Sequence, residues 1–311
     1  MFSSSRTNGI GAMLGYVGCY VAALIYLSVS GGEGAWLDAL VSFAILGVAF
    51  PALAVLLTRK IRLPELRSAA PAATGMVIYL AVFALVVLGF GFTAIHREVQ
   101  AEPLLSITLL VIKLMTMVAV PALILGMLTG GMRDWFAPRW HTQRLWLPLV
   151  GIGVAMLMFE AIFGRGLMTL SALHAAPTVL VWAVPACFVW LSLEVGITEE
   201  FLFRVALQSS LADRLRSPVA GVVIAALLFG LAHAPGLYLR GSAGAEGVDT
   251  PVSISWAMAY SVAVISPSGI LFGVLWARTR SFALIIVLHA LTDLLPNVAP
   301  FLQGWIRHAA A

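Results

Sequence analysis

Three short polar clusters interrupt segments that are otherwise apolar enough to cross a membrane: Glu199 and Glu200 with Arg204, Phe229 with His233, and His289 with Asp293. An ionisable side chain in hydrocarbon costs roughly 2.5–3.5 kcal/mol on insertion scales. A chain that keeps acids and imidazoles at that depth is expected to use them. A glutamate with two histidines is the set that activates water against a carbonyl, directly or on a metal. The chemistry these residues suggest is hydrolysis of a peptide bond inside the membrane.

Spacing divides the labour among them. Glu200 and Arg204 are four apart, with the acid first, so they meet on one helix face in the favourable order. The arginine keeps its charge in a poor solvent and is expected to hold Glu200 ionised and the helix fixed; a network that only staples two helices is the structural alternative. Glu199 points about 100° away. It has no cation on its own helix, which leaves it free to face a cavity as a general base. His233 lies near the end of a neutral apolar helix, with Pro235 just after it and Phe229 one turn before, where its ring packs against the imidazole or forms a pocket wall. A lone histidine in such a helix is more often a core residue than a working one. His289 and Asp293 share a face, so the acid can bond the imidazole or act beside it.

The elements that must position these groups are membrane helices. Of 311 residues, 61% are hydrophobic and 10% charged, against about 25% charged in soluble domains. Apolar runs of spanning length fall at roughly 9–31, 36–58, 73–95, 104–129, 145–164, 177–198, 218–238, 252–277 and 281–296. The sixth runs on into an amphipathic stretch ending near Asp213. The fold class is therefore all-α, a polytopic transmembrane helical bundle of about 8–9 spans. The first run is longer than a signal-peptide core and no clean cleavage site follows it, so it reads as an anchor.

Basic residues recur at alternate connections: Arg6, then Arg59, Lys60, Arg62 and Arg67, then Arg133, Arg139 and Arg144, then Arg214 and Arg216, then Arg278 and Arg280. The intervening connections hold Glu33, then Arg97 with Glu98 and Glu102, then Arg165, then Arg240 with Glu246 and Asp249. The positive-inside rule places the N-terminus in the cytoplasm. The net charge of +4 is accounted for by these arginines, and no basic patch interleaved with aromatics points to nucleic acid. Cys19 and Cys187 lie in apolar runs and read as packing residues. Ionisable groups inside spans concentrate after residue 145; before it, Lys113 stands almost alone. The chain accordingly divides into N-terminal helices, 1–144, an appended bundle, and a working domain, 145–311. The Gly-, Ala- and Ser-rich stretch from Gly241 to Pro251 reads as a flexible loop or a lid.

Glu-Glu-x-x-x-Arg, then Phe-x-x-x-His, then His-x-x-x-Asp, in order on successive spans over about 180–296, resembles the CPBP family, the CAAX-processing and bacteriocin-processing (Abi) intramembrane proteases. The resemblance implies that Glu199 activates water together with His233. It implies that His289, aided by Asp293, assists the carbonyl and its oxyanion, and that Glu200, Arg204 and Phe229 support them. Prenyl-protein proteases carry Asn at the position of Asp293; an ionised Asp cannot donate to an oxyanion, so it must be protonated or orient His289. A zinc site of Glu199, His233 and His289 stays open beside a metal-free glutamate mechanism, and no tightly bound cofactor is favoured.

Other chemical classes leave weaker marks in the sequence. His-Glu-x-x-His is absent. Ser266-Pro267-Ser268-Gly269 with His289 is a faint serine-dyad candidate, and Pro267 more readily breaks or kinks the eighth span. A non-catalytic scaffold or bacteriocin-immunity protein is the first alternative, and a proton-coupled transporter, with Glu160 and Glu194 extending a polar path, the second. No inverted repeat supports the latter. The partners expected are a peptide or membrane-protein substrate and the lipid bilayer, in a bacterial inner membrane.

Overall fold

The computed structural model describes residues 2–30, 34–63, 68–131, 145–164, 166–172, 174–241 and 252–305. Glu33, Arg67, Arg133, Arg139, Arg144, Arg165, Glu246 and Asp249, used above for orientation, lie outside the described residues, as does the loop beyond Gly241. The described residues are helical throughout, apart from turns and short connections, with no strand. Eight helices are long and apolar enough to cross a membrane, or nine if one sharply bent pair counts as a span. The protein is an integral membrane protein.

We label the helices in chain order. They are α1 (Ser5–Val29), α2 (Ala35–Thr58), α3 (Ala70–Glu98), α4 (Leu104–Thr129), α5 (Trp146–Phe163), α7 (Pro177–Arg214), α8 (Pro218–Arg240) and α9 (Ile254–Thr279). The short α6 (Gly166–Ala172) precedes α7. The bent pair is α10 (Phe282–Thr292) and α11 (Leu294–Trp305), turned by 71° at Asp293. The third span is longer than its hydropathy predicts and takes His96 into its last turn.

α8 and α9 form the interior, with 56% and 61% of their spanning windows buried, whereas α1 to α5 bury 11–28% and leave the rest for lipid. Small residues permit the α8–α9 approach. A Cβ on Gly230 would lie 2.4 Å from the Ser261 carbonyl, and one on Gly269 2.8 Å from the Ala226 Cα, the close helix contact that small residues allow in membranes.

The sixth span behaves unlike its sequence pattern. Thirty-eight residues rise roughly 57 Å at 1.5 Å each, well beyond a hydrocarbon core of about 30 Å. Its amphipathic end is not spread on a surface: Glu200 to Ala212 are all buried. The polar side of this end is satisfied mainly by α9. Gln208 donates to the Gly273 carbonyl at 2.8 Å, and Ser209 Oγ accepts from Trp276 Nε1 and from Arg280, each at 2.9 Å. α3 adds its own anchor, because the Ala69 amide just before it donates to Asp213 at 2.7 Å.

Pro267 does not break α9. The π-helical stretch Ser261–Ile265 precedes it, and hydroxyls take up the carbonyls that a proline disturbs: Ser42 donates to Val264 at 2.7 Å and Ser266 to Val262 at 2.6 Å. Such local widening and side-chain bonding is how membrane helices tolerate proline. Ser266 also meets the Tyr16 hydroxyl of α1 at 2.8 Å, and Ser268 donates to Ile265 at 2.7 Å. Both hydroxyls of the serine-dyad candidate are thus spent on helix carbonyls.

α7 meets α10 at Gly196, where an added Cβ would lie 2.9 Å from Ile286 Cγ2 and 3.0 Å from its carbonyl oxygen. This contact sits one turn before Glu200 and one turn before His289. Gly196→Val is expected to push the two helices apart at a cost of about 1–3 kcal/mol, as overpacking does. A lowered thermal midpoint in detergent is the expected readout; an unchanged midpoint would refute the contact.

Candidate active site

Glu199 and Glu200 occupy a three-residue α segment, Thr198–Glu200, between two π-helical stretches, Ser192–Ile197 and Phe201–Gln208. π-turns inside α-helices recur at functional positions because they re-aim side chains. Adjacent on the chain, the two carboxylates have opposite surroundings. Glu200 is fully buried, and one oxygen accepts from His289 Nδ1 at 2.7 Å while the other faces Arg204 Nε at 3.3 Å. Glu199 is partly exposed and has no hydrogen-bond partner among the described residues; its nearest recorded contact is His289 Nε2 at 3.9 Å.

His289 is the meeting point. Its Nδ1 carries the hydrogen given to Glu200, and its Nε2 faces Glu199 and, at 3.7 Å, Asp293. Those two separations are too long for direct hydrogen bonds. The ring is held by stacking on Phe272, with centroids 4.6 Å apart and planes 18° from parallel. Asp293 lies at the bend between α10 and α11 and is the most exposed of the three acids around the imidazole.

His233 reaches the group from α8. Its Nδ1 donates to the Phe229 carbonyl one turn back at 2.8 Å, which leaves Nε2 as the acceptor nitrogen of the neutral ring. Glu199 lies in the electrostatic reach of His233, His289, Lys113 and Arg204. Phe229 is more than a wall. Its ring lies 4.5 Å from the Arg204 guanidinium carbon, 4.9 Å from the His233 ring and 6.5 Å from the His289 ring.

Arg204 is 1% exposed, and none of its side-chain nitrogens makes a hydrogen bond among the described residues. Its charge is met by Glu200 and by the faces of Phe229, Phe272 and Phe203. Desolvated cation–π contacts are worth about 2 kcal/mol or more.

Two participants escaped the sequence reading. Phe272 carried no signal, being one of many aromatics in spans. Lys113 of α4 did carry one, as the lone cation within the N-terminal spans. It forms an ion pair with Glu194 and counts Glu199 and Asp293 among its charged neighbours. Among the described residues no group of three or more His, Cys, Asp or Glu side chains is disposed to hold a metal ion. The zinc set of Glu199, His233 and His289 therefore does not fit.

Removing Arg204 would strand the fully buried Glu200, which costs about 3–5 kcal/mol when one partner of a buried pair is deleted. Arg204→Met is expected to lower the thermal midpoint sharply and to loosen His289. A midpoint within error of the parent protein would refute the role of the pair.

Comparison with known proteins points to the same part of the chain. A family model described as type II CAAX prenyl endopeptidase, Rce1-like, matches residues 180–295, the stretch that runs from α7 to the bend after α10. No curated protein and no solved structure matches the chain. The part of the chain similar to the Rce1-like type II CAAX prenyl endopeptidase family is thus residues 180–295, which supply Glu199, Glu200, Arg204, Phe229, His233, His289 and Asp293.

Proposed function

We propose that the protein is an intramembrane endopeptidase that hydrolyses a peptide bond of a peptide or membrane-associated protein, with Glu199 as general base. The observation that carries this reading is the contrast between the two adjacent glutamates. Glu200 is fully engaged by Arg204 and His289, whereas Glu199 has no hydrogen-bond partner among the described residues and faces two imidazoles. A base must have a free oxygen for the proton it takes.

In this mechanism a water lies between Glu199 and Nε2 of His233. Glu199 takes its proton, and the hydroxide attacks the substrate carbonyl. His289 donates from Nε2 to the developing oxyanion. That role needs the doubly protonated ring, because the Nδ1 hydrogen is already given to Glu200; Glu199, Glu200 and Asp293 are its counter-charges. Donors preorganised at an oxyanion contribute much of the acceleration in acyl transfer. The departing amine then receives the proton held by Glu199. Asp293, 3.7 Å from Nε2, serves as a counter-charge beside the imidazole, a role open to an acid where prenyl-protein proteases have Asn. No step passes through a metal.

The membrane setting follows the same reading. The bilayer is a bacterial inner membrane with the N-terminus in the cytoplasm, and the site faces the cytoplasmic half, since the buried end of α7 leads to Arg214 and Arg216. The N-terminal helices, 1–144, accompany the working domain as an appended bundle.

The test uses purified protein in proteoliposomes with two quenched peptides of one CAAX-type sequence, farnesylated and unmodified. Glu199→Gln, His233→Ala and His289→Ala are each expected to cut turnover by about 10²-fold or more while the protein stays monodisperse. Cleavage that survives Glu199→Gln would overturn the assignment. The farnesylated and unmodified arms report whether the substrate is lipidated.

A further inference from the structure

The site holds more acid than its own helices can balance. Glu194, Glu199 and Glu200 come from α7 and Asp293 from the α10–α11 bend. The fixed cation from the same half, Arg204, is committed to Glu200 at 3.3 Å. Three carboxylates therefore remain, alongside His233 from α8 and His289 from α10. The cation that answers them comes from outside the family-matched region. Lys113 of α4 ion-pairs with Glu194, both side chains being largely buried at 14% and 20% exposure. The π-helical stretch Ser192–Ile197 brings Glu194 and Glu199, five residues apart, to this same neighbour, and Asp293 joins them.

We propose that Lys113 is a positioning residue for the hydrolysis, so that the N-terminal helices complete the active site rather than merely flank it. Its ammonium, held by Glu194, balances the charge that Glu199 and Asp293 present to one another. Without it the unbalanced acids turn to the nearest remaining proton donors, the imidazoles, and Glu199 is drawn onto His289 instead of toward water. Lys113 touches no reacting atom in this account, and it acts through the carboxylates. The proposal rests on the endopeptidase reading above, with Glu199 as base.

The experiment measures turnover and KM on the peptide that the parent protein cleaves, for Lys113→Met, Lys113→Arg and the double variant Lys113→Met with Glu194→Gln. Lys113→Met is expected to lower kcat about tenfold or more while KM stays within about twofold, and Lys113→Arg to restore at least a third of the parent kcat. The double variant leaves no stranded Glu194, so it keeps the fold if Lys113→Met does not. It is expected to remain about tenfold slow, because Glu199 and Asp293 still lack their cation. A parental kcat in Lys113→Met or in the double variant overturns the proposal, as does Lys113→Arg being as slow as Lys113→Met. If the parent protein cleaves neither peptide, the endopeptidase reading fails first and this proposal falls with it. Activity lost in Glu199→Gln but kept in the Lys113 variants sinks the proposal alone.

Discussion

Everything in the interior is arranged around one carboxylate that has no access to water. Glu200 is fully buried, and an isolated ion in such a place would cost far more than the fold has to spend. Two groups make it tolerable: the Arg204 guanidinium one turn on, and the His289 Nδ1–H from another helix. The arginine in turn lacks hydrogen bonds among the described residues, so aromatic faces must surround it. Phe203, Phe229 and Phe272 arrive from three different helices. One desolvated charge thus dictates where α7, α8, α9 and α10 must sit. Geometry of this kind is costly in stability and useful in specificity, because only one packing satisfies every member.

That constraint explains why the amphipathic end of α7 lies inside the bundle instead of on a membrane surface. A surface helix would leave Glu200 and Arg204 to water and lose the imidazole. Buried, it needs a partner for each further polar side chain, and α9 offers a carbonyl at Gly273 and the indole of Trp276, with Arg280 just beyond its end. The glycines fall where backbones must come close enough for these short bonds. Gly196 against Ile286 is the approach nearest the site, since it lies one turn before both the α7 carboxylate and the α10 ring.

Much of this was legible beforehand, and the limits have physical causes. Hydropathy located the spans because lipid demands long apolar runs, and it erred at the ends of α3, where His96 still fits inside the last turn. Spacing of four found the Glu200–Arg204 pair because both partners lie on one helix. It could not find the Glu200–His289 bond, whose partners are 89 positions apart. Phe272 was invisible for the same reason: stacking is a relation between helices, and an aromatic in a span has many other uses. Lys113 stood out by chemistry, since a cation at membrane depth needs a partner, yet only the packing of α4 on α7 reveals which acid it meets. Pro267 misled, because the sequence does not display the serine hydroxyls that take up the disturbed carbonyls of α9.

The two neighbouring glutamates carry the last step of the argument. Regular helical pitch alone turns them about 100° apart. Here the segment that bears them is flanked on both sides by π-turns, and their surroundings diverge completely. Glu200 faces inward to a cation and an imidazole, and Glu199 stands partly open beside His289 and within the field of His233 and Lys113. A carboxylate that holds the framework cannot also exchange protons, because each proton gained would break a bond on which packing depends. A carboxylate that exchanges protons must be free of such duties, yet close to groups that keep it in place. Placing the two duties on consecutive residues lets the rigid one orient the same imidazole that the free one works against. In the proposed hydrolysis, Arg204 and Phe229 then serve indirectly, by keeping Glu200 and His289 still while Glu199 takes the proton.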